Sequence, residues 1–299
     1  MNSEGKKVLF IVNKYSGGTY QPALEATLLS SCEKNSVHCA IEFTQAPGHA
    51  TLLAGKAVGL FDKVIAVGGD GTVNEVAQGL LHSQTVMGIV PKGSGNGLAR
   101  HLRIPMKITD ALDCLFSSQH IVAMDAFRMN GRLSLNVSGI GFDGHIATLF
   151  GADRRRGFHT YTKLALNEFM QFPEFDADIT IGQETLSKKA FVIAIANSSQ
   201  YGNNAMIAPE ASVCDGLLHV SILKKIPAYR LDFIYSFFSG TINQSAYCET
   251  LQARDITIQL QSSLPFHIDG EPGGVSDRFV VEMIPASLRM LAPGSTARP

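Results

Sequence analysis

The sequence has 299 residues, of which 45% are hydrophobic and 17% are charged, and its formal net charge is −1. A chain of this length can form two domains, and its apolar fraction excludes an intrinsically disordered protein. The 25 basic and 26 acidic residues lack the basic excess that is typical of nucleic-acid-binding proteins, so we expect no nucleic-acid partner. An anionic ligand must then be held by local geometry rather than by the overall charge.

The five cysteines are dispersed and form no Cys-x-x-Cys pair, which argues against a disulfide framework and against a structural zinc site. The apolar run Val8–Val12 is shorter than the ~7–15 residues of a signal-peptide core. No stretch approaches the ~18 uncharged apolar residues of a spanning helix. We therefore predict a cytoplasmic protein without a transmembrane segment.

Residues 1–122 alternate apolar strand-like runs with helical patterns, which is typical of a parallel α/β sheet. The predicted strands are Val8–Val12, His38–Phe43, Lys63–Val67 and Val86–Val90. The predicted helices include His49–Leu60, Val73–Leu81 and Thr109–Ser117. This half is predicted to be a three-layer α/β domain with helices on both faces of the parallel sheet.

Residues 123–299 instead carry short alternating segments, which favour a mostly antiparallel, β-sandwich-like domain. The predicted strands are Ala123–Met129, Leu133–Val137, Ala177–Ile181, Ala190–Ala196, Leu217–Leu223, Asp255–Leu260, Pro265–Asp269 and Phe279–Ile284. Helical patterns occur around Thr160–Met170 and Tyr229–Phe238. Functional sites tend to lie where two such domains meet, so we expect one there.

The predicted strand Lys63–Val67 runs directly into the turn Gly68-Gly69-Asp70-Gly71-Thr72 and then into a helix. Glycines let a phosphate approach backbone N–H groups, and a helix N-terminus adds partial positive charge. A Rossmann fingerprint fails at Asn74, and the Gly-Lys-[Ser/Thr] ending of a Walker A loop is missing. Asp70 would repel a phosphate, so either a cation mediates or Asp70 has another role. A plain tight turn capped by Asp70 is the alternative.

A second glycine loop, Lys92–Gly97, follows the next predicted strand. In a parallel sheet both loops fall at the carboxyl edge, where open α/β sheets bind ligands. Ser94 and Asn96 are short polar donors, while Lys92 or Arg100 could neutralise phosphate charge. The alternative is a flexible connector, but two such loops at one edge favour a phosphate site.

The turn Asp269-Gly270-Glu271 lies at the end of the predicted strand Pro265–Asp269. Its two carboxylates are able to point into one cleft when the glycine bends the chain. Phosphoryl transfer to an alcohol needs a base near the hydroxyl and a metal ion on the phosphates. A solvated acidic hairpin turn is the structural alternative.

These motifs resemble the diacylglycerol kinase catalytic-domain family, in particular its soluble bacterial lipid kinases, within a superfamily that also holds sphingosine, ceramide and NAD kinases. Gly68–Thr72 matches the Gly-Gly-Asp-Gly-Thr signature, and Pro91–Arg100 resembles the second motif, with Ser94 where Thr is usual. Asn136–Asp143 matches an Asn-x-x-Gly-x-Gly-x-Asp segment, and Pro209–Leu218 matches a Pro-x-Ala…Asp-Gly-x-Leu segment. The resemblance extends almost end to end.

The resemblance implies an ATP- and Mg²⁺-dependent lipid kinase. It also implies that residues 1–122 form a nucleotide-binding domain, that the C-terminal end returns to this domain and that a nucleotide cleft forms between the two domains. In similar enzymes the nucleotide is contacted at positions that correspond here to Asn13, Ser16, Gly17, Thr44, Gly68, Gly69, Asp70, Gly71, Thr72, Asn74, Glu75 and Ser94. A structural Mg²⁺ is bound at positions that correspond to Ser212, Asp215 and Leu217, the first and last through backbone oxygens. The proton acceptor lies in the Asp269–Glu271 turn, and we favour Glu271 over Asp269. Asp70 and Asp125 would hold or orient the catalytic Mg²⁺.

The expected acceptor is a lipid hydroxyl at a membrane surface, so the protein would visit the inner face of the membrane; a homodimer is compatible with the resemblance. Diacylglycerol, a sphingoid base, phosphatidylglycerol and other glycerides fit equally well. Arg154–Arg156 could meet anionic headgroups, but a solvated face is the better interpretation, and the aromatic stretch Leu231–Phe238 is better explained as core. An NAD kinase-like enzyme and a nucleotide-binding regulator without turnover are the alternative functions.

Overall fold

The computed structural model describes residues 7–18, 22–152, 168–227 and 230–294. The chain divides into two compact units: unit 1 comprises residues 1–124 and 286–299, and unit 2 comprises residues 125–285. The basic cluster Arg154–Arg156 lies outside the described residues. No helix in the described ranges is long and apolar enough to cross a membrane.

Unit 1 is built on a parallel sheet. Its strands are β1 (Lys7–Val12), β2 (His38–Phe43), β3 (Lys63–Gly68) and β4 (Val86–Pro91), in the spatial order β4-β3-β1-β2. Every residue of β4 is buried, and so is every residue of β1 and β3 after the first. Strands buried on both faces read as continuous apolar runs, which is why the sequence identified them directly.

The helices of unit 1 cover this sheet. They are α1 (Ala23–Lys34), α2 (His49–Ala57), α3 (Asp70–Leu80), α4 (Gly97–His101) and α5 (Ile108–Ser117). Helix α3 begins three residues before the predicted start at Val73, because the amide of Val73 already bonds the carbonyl of Gly69 at 3.0 Å. The residues Asp70, Gly71 and Thr72 therefore form the first helical turn rather than a loop.

Unit 2 contains most of the remaining strands. These are β5 (Ile121–Met129), β6 (Arg132–Ser134), β7 (Val137–Gly141), β8 (Phe175–Ile181), β9 (Glu184–Ala190), β10 (Val192–Ala196), β11 (Gln200–Gly202), β12 (Ala205–Met206), β13 (Leu218–Leu223), β14 (Cys248–Ala253), β15 (Asp255–Ile268) and β16 (Glu271–Leu291). Helices α6 (Phe142–Ala152) and α7 (Leu231–Ser239) and a 3₁₀ turn, Ile242–Gln244, are interspersed.

The unit 2 strands pair in the order β14-β13-β10-β7-β15-β16, while β8 joins β15 to β9. Strand β10 is antiparallel to both of its neighbours. Its residues Ile193 and Ile195 pack in one hydrophobic cluster, and Val192, Ala194 and Ala196 pack in another. Apolar side chains on both faces of one strand show that the sheet is covered on both sides, as the β-sandwich-like prediction requires.

Two predicted strands, Asp255–Leu260 and Pro265–Asp269, form one long strand, β15. The polar stretch between them made the sequence look interrupted, and the pairing with β16 is irregular between Gln259 and Leu264. Strand β16 is likewise longer than predicted, and its last residues pair with β4 of unit 1 through Arg289–Val86 and Met290–Met87. The C-terminal chain thus returns to the first domain's sheet.

We predict that Gly79→Ala lowers the free energy of unfolding, although alanine favours helices. A Cβ atom at Gly79 in α3 would lie 2.4 Å from the carbonyl oxygen of Thr51 and 2.8 Å from the amide nitrogen of Gly55 in α2. Forcing the two helices apart should cost about 1–3 kcal/mol, measured by urea unfolding followed by circular dichroism.

Gly55→Ala is the matched control, because its Cβ atom would meet only the Gly79 carbonyl oxygen at 3.9 Å. This variant should be neutral or stabilised by up to ~1 kcal/mol. Equal stability of the two variants would contradict the close packing of α2 against α3.

Candidate functional site

Three loops meet at the carboxyl edge of the unit 1 sheet. They follow β1, β3 and β4, which are neighbours in that sheet. The amide of Asn13 donates to the carbonyl of Val67 at 3.0 Å, and the amide of Lys92 donates to the carbonyl of Gly68 at 2.8 Å. These bonds fix the start of each loop against the end of β3, which places the predicted nucleotide residues in one neighbourhood.

The loops touch backbone to backbone, and this contact explains the glycines. A Cβ atom at Gly17 would lie 1.8 Å from the carbonyl oxygen of Lys92, and one at Gly93 would lie 2.5 Å from the Cα atom of Gly69. A Cβ atom at Gly68 would lie 2.5 Å from the Cβ atom of Thr72. A side chain at Gly17 or Gly93 would separate the loops, and one at Gly68 would displace Thr72, so close approach requires these glycines. Gly17 also has a positive φ of 69°, which favours glycine.

Two asparagines hold the loops in shape. Asn13 donates from Nδ2 to Oγ1 of Thr72 at 3.1 Å and accepts the amide of Tyr15 at 3.0 Å. Asn96 has a left-handed backbone (φ 52°), accepts the amide of Gly93 at 2.9 Å and donates to the carbonyl of Gly93 at 2.8 Å. The second glycine loop is therefore closed on itself, in contrast to the flexible connector considered from the sequence.

The basic side chains of the second loop bond to carbonyl oxygens within the site. The Nζ atom of Lys92 donates to the carbonyls of Lys14, at 3.3 Å, and of Ser16. Arg100 donates from Nε to the carbonyl of Gly95 at 3.0 Å. Burial lowers the pKa of Lys92 below the usual value for an amine. Lys92 thus connects the loop that follows β1 to the loop that follows β4, a role that the sequence did not reveal.

Helix α3 presents its N-terminus at the same edge. Asp70 and Gly71 are half-buried in its first turn, and Gly69 precedes it. The first amides of a helix have no intrahelical partner and carry partial positive charge, which suits a phosphate group. This arrangement supports the interpretation of Gly68–Thr72 as a phosphate-binding element.

The remaining residues that were predicted to contact the nucleotide also have defined surroundings. The amide of Thr44 bonds the carbonyl of Val12 at 3.0 Å, at the end of β1, and Ser94 is exposed. Asn74 accepts the side-chain amide of Gln78 at 2.8 Å. Glu75 accepts the backbone amides of Gly48 at 2.8 Å and Ala50 at 3.1 Å. Glu75 therefore caps α2, a structural use beside its predicted contact with nucleotide.

In unit 2, the Asp269–Glu271 turn joins β15 to β16. Ile268 pairs with Glu271, and the two central residues Asp269 (φ 49°) and Gly270 (φ 85°) are both left-handed, as in a type I′ hairpin. Three described donors point at the Asp269 carboxylate: the hydroxyl of Ser134 at 2.6 Å, the amide of Leu135 at 2.9 Å and the amide of Asn136 at 3.0 Å.

Glu271 differs from Asp269 in its surroundings. Its side chain is exposed, and among the described residues no hydrogen bond to its carboxylate is formed. A carboxylate has about four lone-pair sites, of which at least three are occupied at Asp269. Glu271 is therefore the carboxylate of this turn that remains available to a substrate.

Comparison with known proteins places this architecture in a family. Residues 7–129 match the diacylglycerol kinase catalytic domain, and residues 136–292 match the YegS C-terminal NAD kinase beta sandwich-like domain. A protein of Pectobacterium atrosepticum named "Probable lipid kinase YegS-like" is 32% identical over 78% of this chain and 78% of its own length. The chain belongs to the YegS-like branch of the diacylglycerol kinase catalytic-domain family. A Yersinia pestis protein of the same name is 30% identical over 77% of this chain and 78% of its own.

Solved structures share the fold of this family member. A diacylglycerol kinase from Bacillus anthracis str. Sterne matches with a TM-score of 0.74 at 21% identity, over 99% of this chain and 100% of the other. A second structure from the same organism matches with a TM-score of 0.79 at 21% identity, over 99% and 98% of the two chains. The predicted α/β domain followed by a β-sandwich-like domain is confirmed.

The predicted Mg²⁺ ligands of the family lie on the loop before β13. Among the described residues there is no group of three or more His, Cys, Asp or Glu side chains that could hold a metal ion. The predicted Mg²⁺ site consists instead of one carboxylate and two backbone carbonyls. Hard cations bind such oxygen ligands together with water. Asp215 is exposed and accepts the amide of Leu217 at 3.0 Å, so its carboxylate is already held at the loop surface. These residues fit a hard cation.

Asp125 is tied to this same loop. It is buried, accepts the amide of Gly216 at 2.7 Å on Oδ2 and donates its own amide to the carbonyl of Val213. Within unit 2, Asp125 therefore orients the predicted metal loop, beside its predicted role with the catalytic Mg²⁺.

The Asn136–Asp143 motif of the family has a packing explanation that the sequence did not provide. A Cβ atom at Gly139 would lie 1.8 Å from Oδ2 of Asp143, and one at Gly144 would lie 2.5 Å from the Cα atom of Phe266. The glycines let α6 approach β15 and make room for the Asp143 carboxylate, which accepts hydrogen bonds from Tyr201 and contacts His267. None of these three side chains was among the predicted site residues, although the motif contained Asp143.

We predict that Lys92→Met destabilises unit 1 and does not act only on ATP affinity. The variant loses two hydrogen bonds from a charged group to carbonyls, each worth about 1.5–3 kcal/mol. The free energy of unfolding should fall in urea titrations without nucleotide. Lys56→Met, at an exposed position of α2, is the control. Unchanged stability with weakened ATP binding would instead assign Lys92 to phosphate.

Proposed function

We propose that this protein is an ATP- and Mg²⁺-dependent kinase that phosphorylates a hydroxyl group of a lipid such as diacylglycerol. The observation that carries the proposal is the backbone contact of the two glycine loops beside the N-terminus of α3. This contact builds a rigid set of backbone amides at the carboxyl edge of a parallel sheet, which suits a polyphosphate. The family name and the names of the relatives support a kinase acting on a lipid.

The proposed reaction is an in-line transfer of the γ-phosphoryl group. The lipid hydroxyl oxygen forms the new bond to phosphorus, the bond to the β,γ-bridging oxygen breaks, and the hydroxyl proton passes to a carboxylate. Glu271 is the proposed acceptor because its carboxylate is exposed, whereas Asp269 is held by Ser134, Leu135 and Asn136. ADP and the phosphorylated lipid are the products.

Asp70 is proposed to orient the metal-bound nucleotide. A carboxylate in the first turn of α3 is favoured by the helix dipole but would repel a bare phosphate. Mg²⁺ supplies charge neutralisation of the phosphates when it is bound. Ser212, Asp215 and Leu217 are proposed to hold a second, structural Mg²⁺ in unit 2, with Asp125 keeping their loop in shape.

The proposed acceptor is presented by a membrane surface. The protein would act in the cytoplasm and bind transiently to the inner face of the membrane, and a homodimer remains a prediction. On α7, Phe233 is buried while Tyr235 and Phe238 are exposed, so the aromatic stretch is only partly core. Diacylglycerol, sphingoid bases and phosphatidylglycerol are the acceptors to be compared.

The decisive assay uses labelled ATP and Mg²⁺ with mixed micelles that contain each candidate lipid, and separately with NAD. We expect transfer to at least one lipid and none to NAD. Asp70→Asn should reduce kcat by at least about 10²-fold while leaving the thermal unfolding midpoint unchanged, because it removes charge needed in the transition state. Asp113→Asn, an exposed carboxylate on α5, should keep full activity.

Three other outcomes would revise the proposal. Transfer to NAD alone would favour the NAD kinase-like alternative. ATP binding without transfer to any acceptor would favour a regulatory protein. Full activity of Asp70→Asn would refute the role of Asp70.

The two carboxylates of the turn can be separated by substitution. Glu271→Gln should reduce kcat by about 10²–10⁴-fold with no loss of stability, because the variant removes only the proposed base. Asp269→Asn should lower the free energy of unfolding by about 1–3 kcal/mol, because an amide group would face backbone donors. Kinetics and urea titrations would be measured on both; a larger kcat loss in Asp269→Asn at equal stability would make Asp269 the base.

A further inference from the structure

A buried histidine lies directly beside the proposed catalytic turn. His267 is only 3% exposed, and its Nδ1 atom is 3.1 Å from the amide nitrogen of Gly270. Since the backbone amide can only donate, Nδ1 accepts this bond and carries no proton. The proton of the neutral ring is therefore on Nε2, which lies 3.2 Å from Oδ2 of Asp143.

Asp143 fixes this tautomer of His267. The same Oδ2 atom accepts the hydroxyl of Tyr201 at 3.0 Å, and Oδ1 accepts the amide of Gly144 at 2.8 Å. Asp143 lies at the start of α6, and Gly139, which pairs with His267 across the strands, leaves room for its carboxylate. A carboxylate held by two other donors orients the imidazole, as second-layer carboxylates do in other histidine sites.

The backbone of the turn is restricted, because its two central residues, Asp269 and Gly270, both have a positive φ, which few residue types other than glycine, asparagine and aspartate adopt readily. The adjacent ladder is also weakened: His267 pairs with Pro272, which has no amide hydrogen, and the register shifts between Phe266 and His267. A bulge of this kind redirects the side chain beside it.

We propose that His267 is a positioning residue for the Asp269–Glu271 turn, acting through Nδ1 on the Gly270 amide and held by Asp143 and Tyr201. Asp269 is anchored from one side by Ser134–Asn136, and Gly270 is anchored from the other side by His267. The two anchors determine the direction in which the next residue, Glu271, leaves the turn. This inference rests on the proposed function, in which Glu271 receives the hydroxyl proton.

Two substitutions separate the two hydrogen bonds of the ring. In His267→Asn, Oδ1 lies as many bonds from Cβ as Nδ1 does and can accept the Gly270 amide. In His267→Gln, Nε2 lies as many bonds from Cβ as the ring Nε2 does and can donate to Asp143. We expect His267→Gln to lose about 10²-fold in kcat with the KM for ATP unchanged, because a misplaced base slows only the chemical step. His267→Asn should retain most of kcat.

His145→Gln is the matched control, since His145 lies on α6 of the same unit and bridges to Glu168 at a half-exposed site. It should keep the wild-type kcat. Equal losses of kcat in His267→Asn and His267→Gln, or a rise in KM alone, would overturn the proposal in favour of a purely structural role.

Amide hydrogen exchange at Gly270, followed by NMR in the full-length protein, tests the inference without activity. Exchange should be slow in the wild type and in His267→Asn, and faster in His267→Gln. Slow exchange in His267→Gln would overturn the positioning role even if the enzyme phosphorylates lipid. If the wild type transfers phosphate to no lipid, the proposed function fails, and the exchange rates still decide whether His267 holds the turn.

Discussion

The direct backbone contact between the loops that follow β1, β3 and β4 is the constraint on which the unit 1 site depends. Gly17 meets the Lys92 carbonyl, and Gly69 meets Gly93, at distances that leave no space for a side chain. Lys92 reinforces the contact by donating to two carbonyls of the loop that follows β1. Because backbone groups form the contact, the amides at the start of α3 are held rigidly, and a preorganised set of donors needs no rearrangement to meet a phosphate.

In unit 2, hydrogen bonds of buried polar side chains, rather than close backbone contacts, hold the predicted site residues in place. Asn197 is fully buried and donates from Nδ2 to the carbonyls of Asp125 at 3.0 Å and Leu135 at 2.9 Å. The backbone amide of Asn197 donates to the carbonyl of Asn136, and the backbone amide of Asn136 donates to the Asp269 carboxylate. A polar network continues from the loop before β13 to the Asp-Gly-Glu turn. The hydrogen bonds of this network favour one arrangement of these segments over the alternatives, because breaking any of them would leave a buried polar group without its partner.

The chain's local patterns predicted the elements well where burial was uniform and less well elsewhere. Strand β4 is apolar throughout, and β1 and β3 are apolar after their first residue, so their positions followed from the apolar runs alone. Strand β15 was split in two, because its polar middle, residues 261–263, is exposed and separates an alternating first part from a continuously buried end. The start of α3 was placed late, because glycine and aspartate have weak helix propensities, yet the hydrogen bond from the Val73 amide to the Gly69 carbonyl begins the helix at Asp70.

Taken alone, the sequence determined the order of the elements, the two glycine loops at one sheet edge and the acidic turn, because these depend on short-range patterns and on the rules of parallel sheets. The tertiary structure decided how the side chains are used. Lys92 bonds carbonyls, Glu75 caps α2, and His267 supports the acidic turn, since each partner lies far away in sequence. Contacts between distant residues leave no periodic signal along the chain, so no reading of the sequence alone would have assigned these roles.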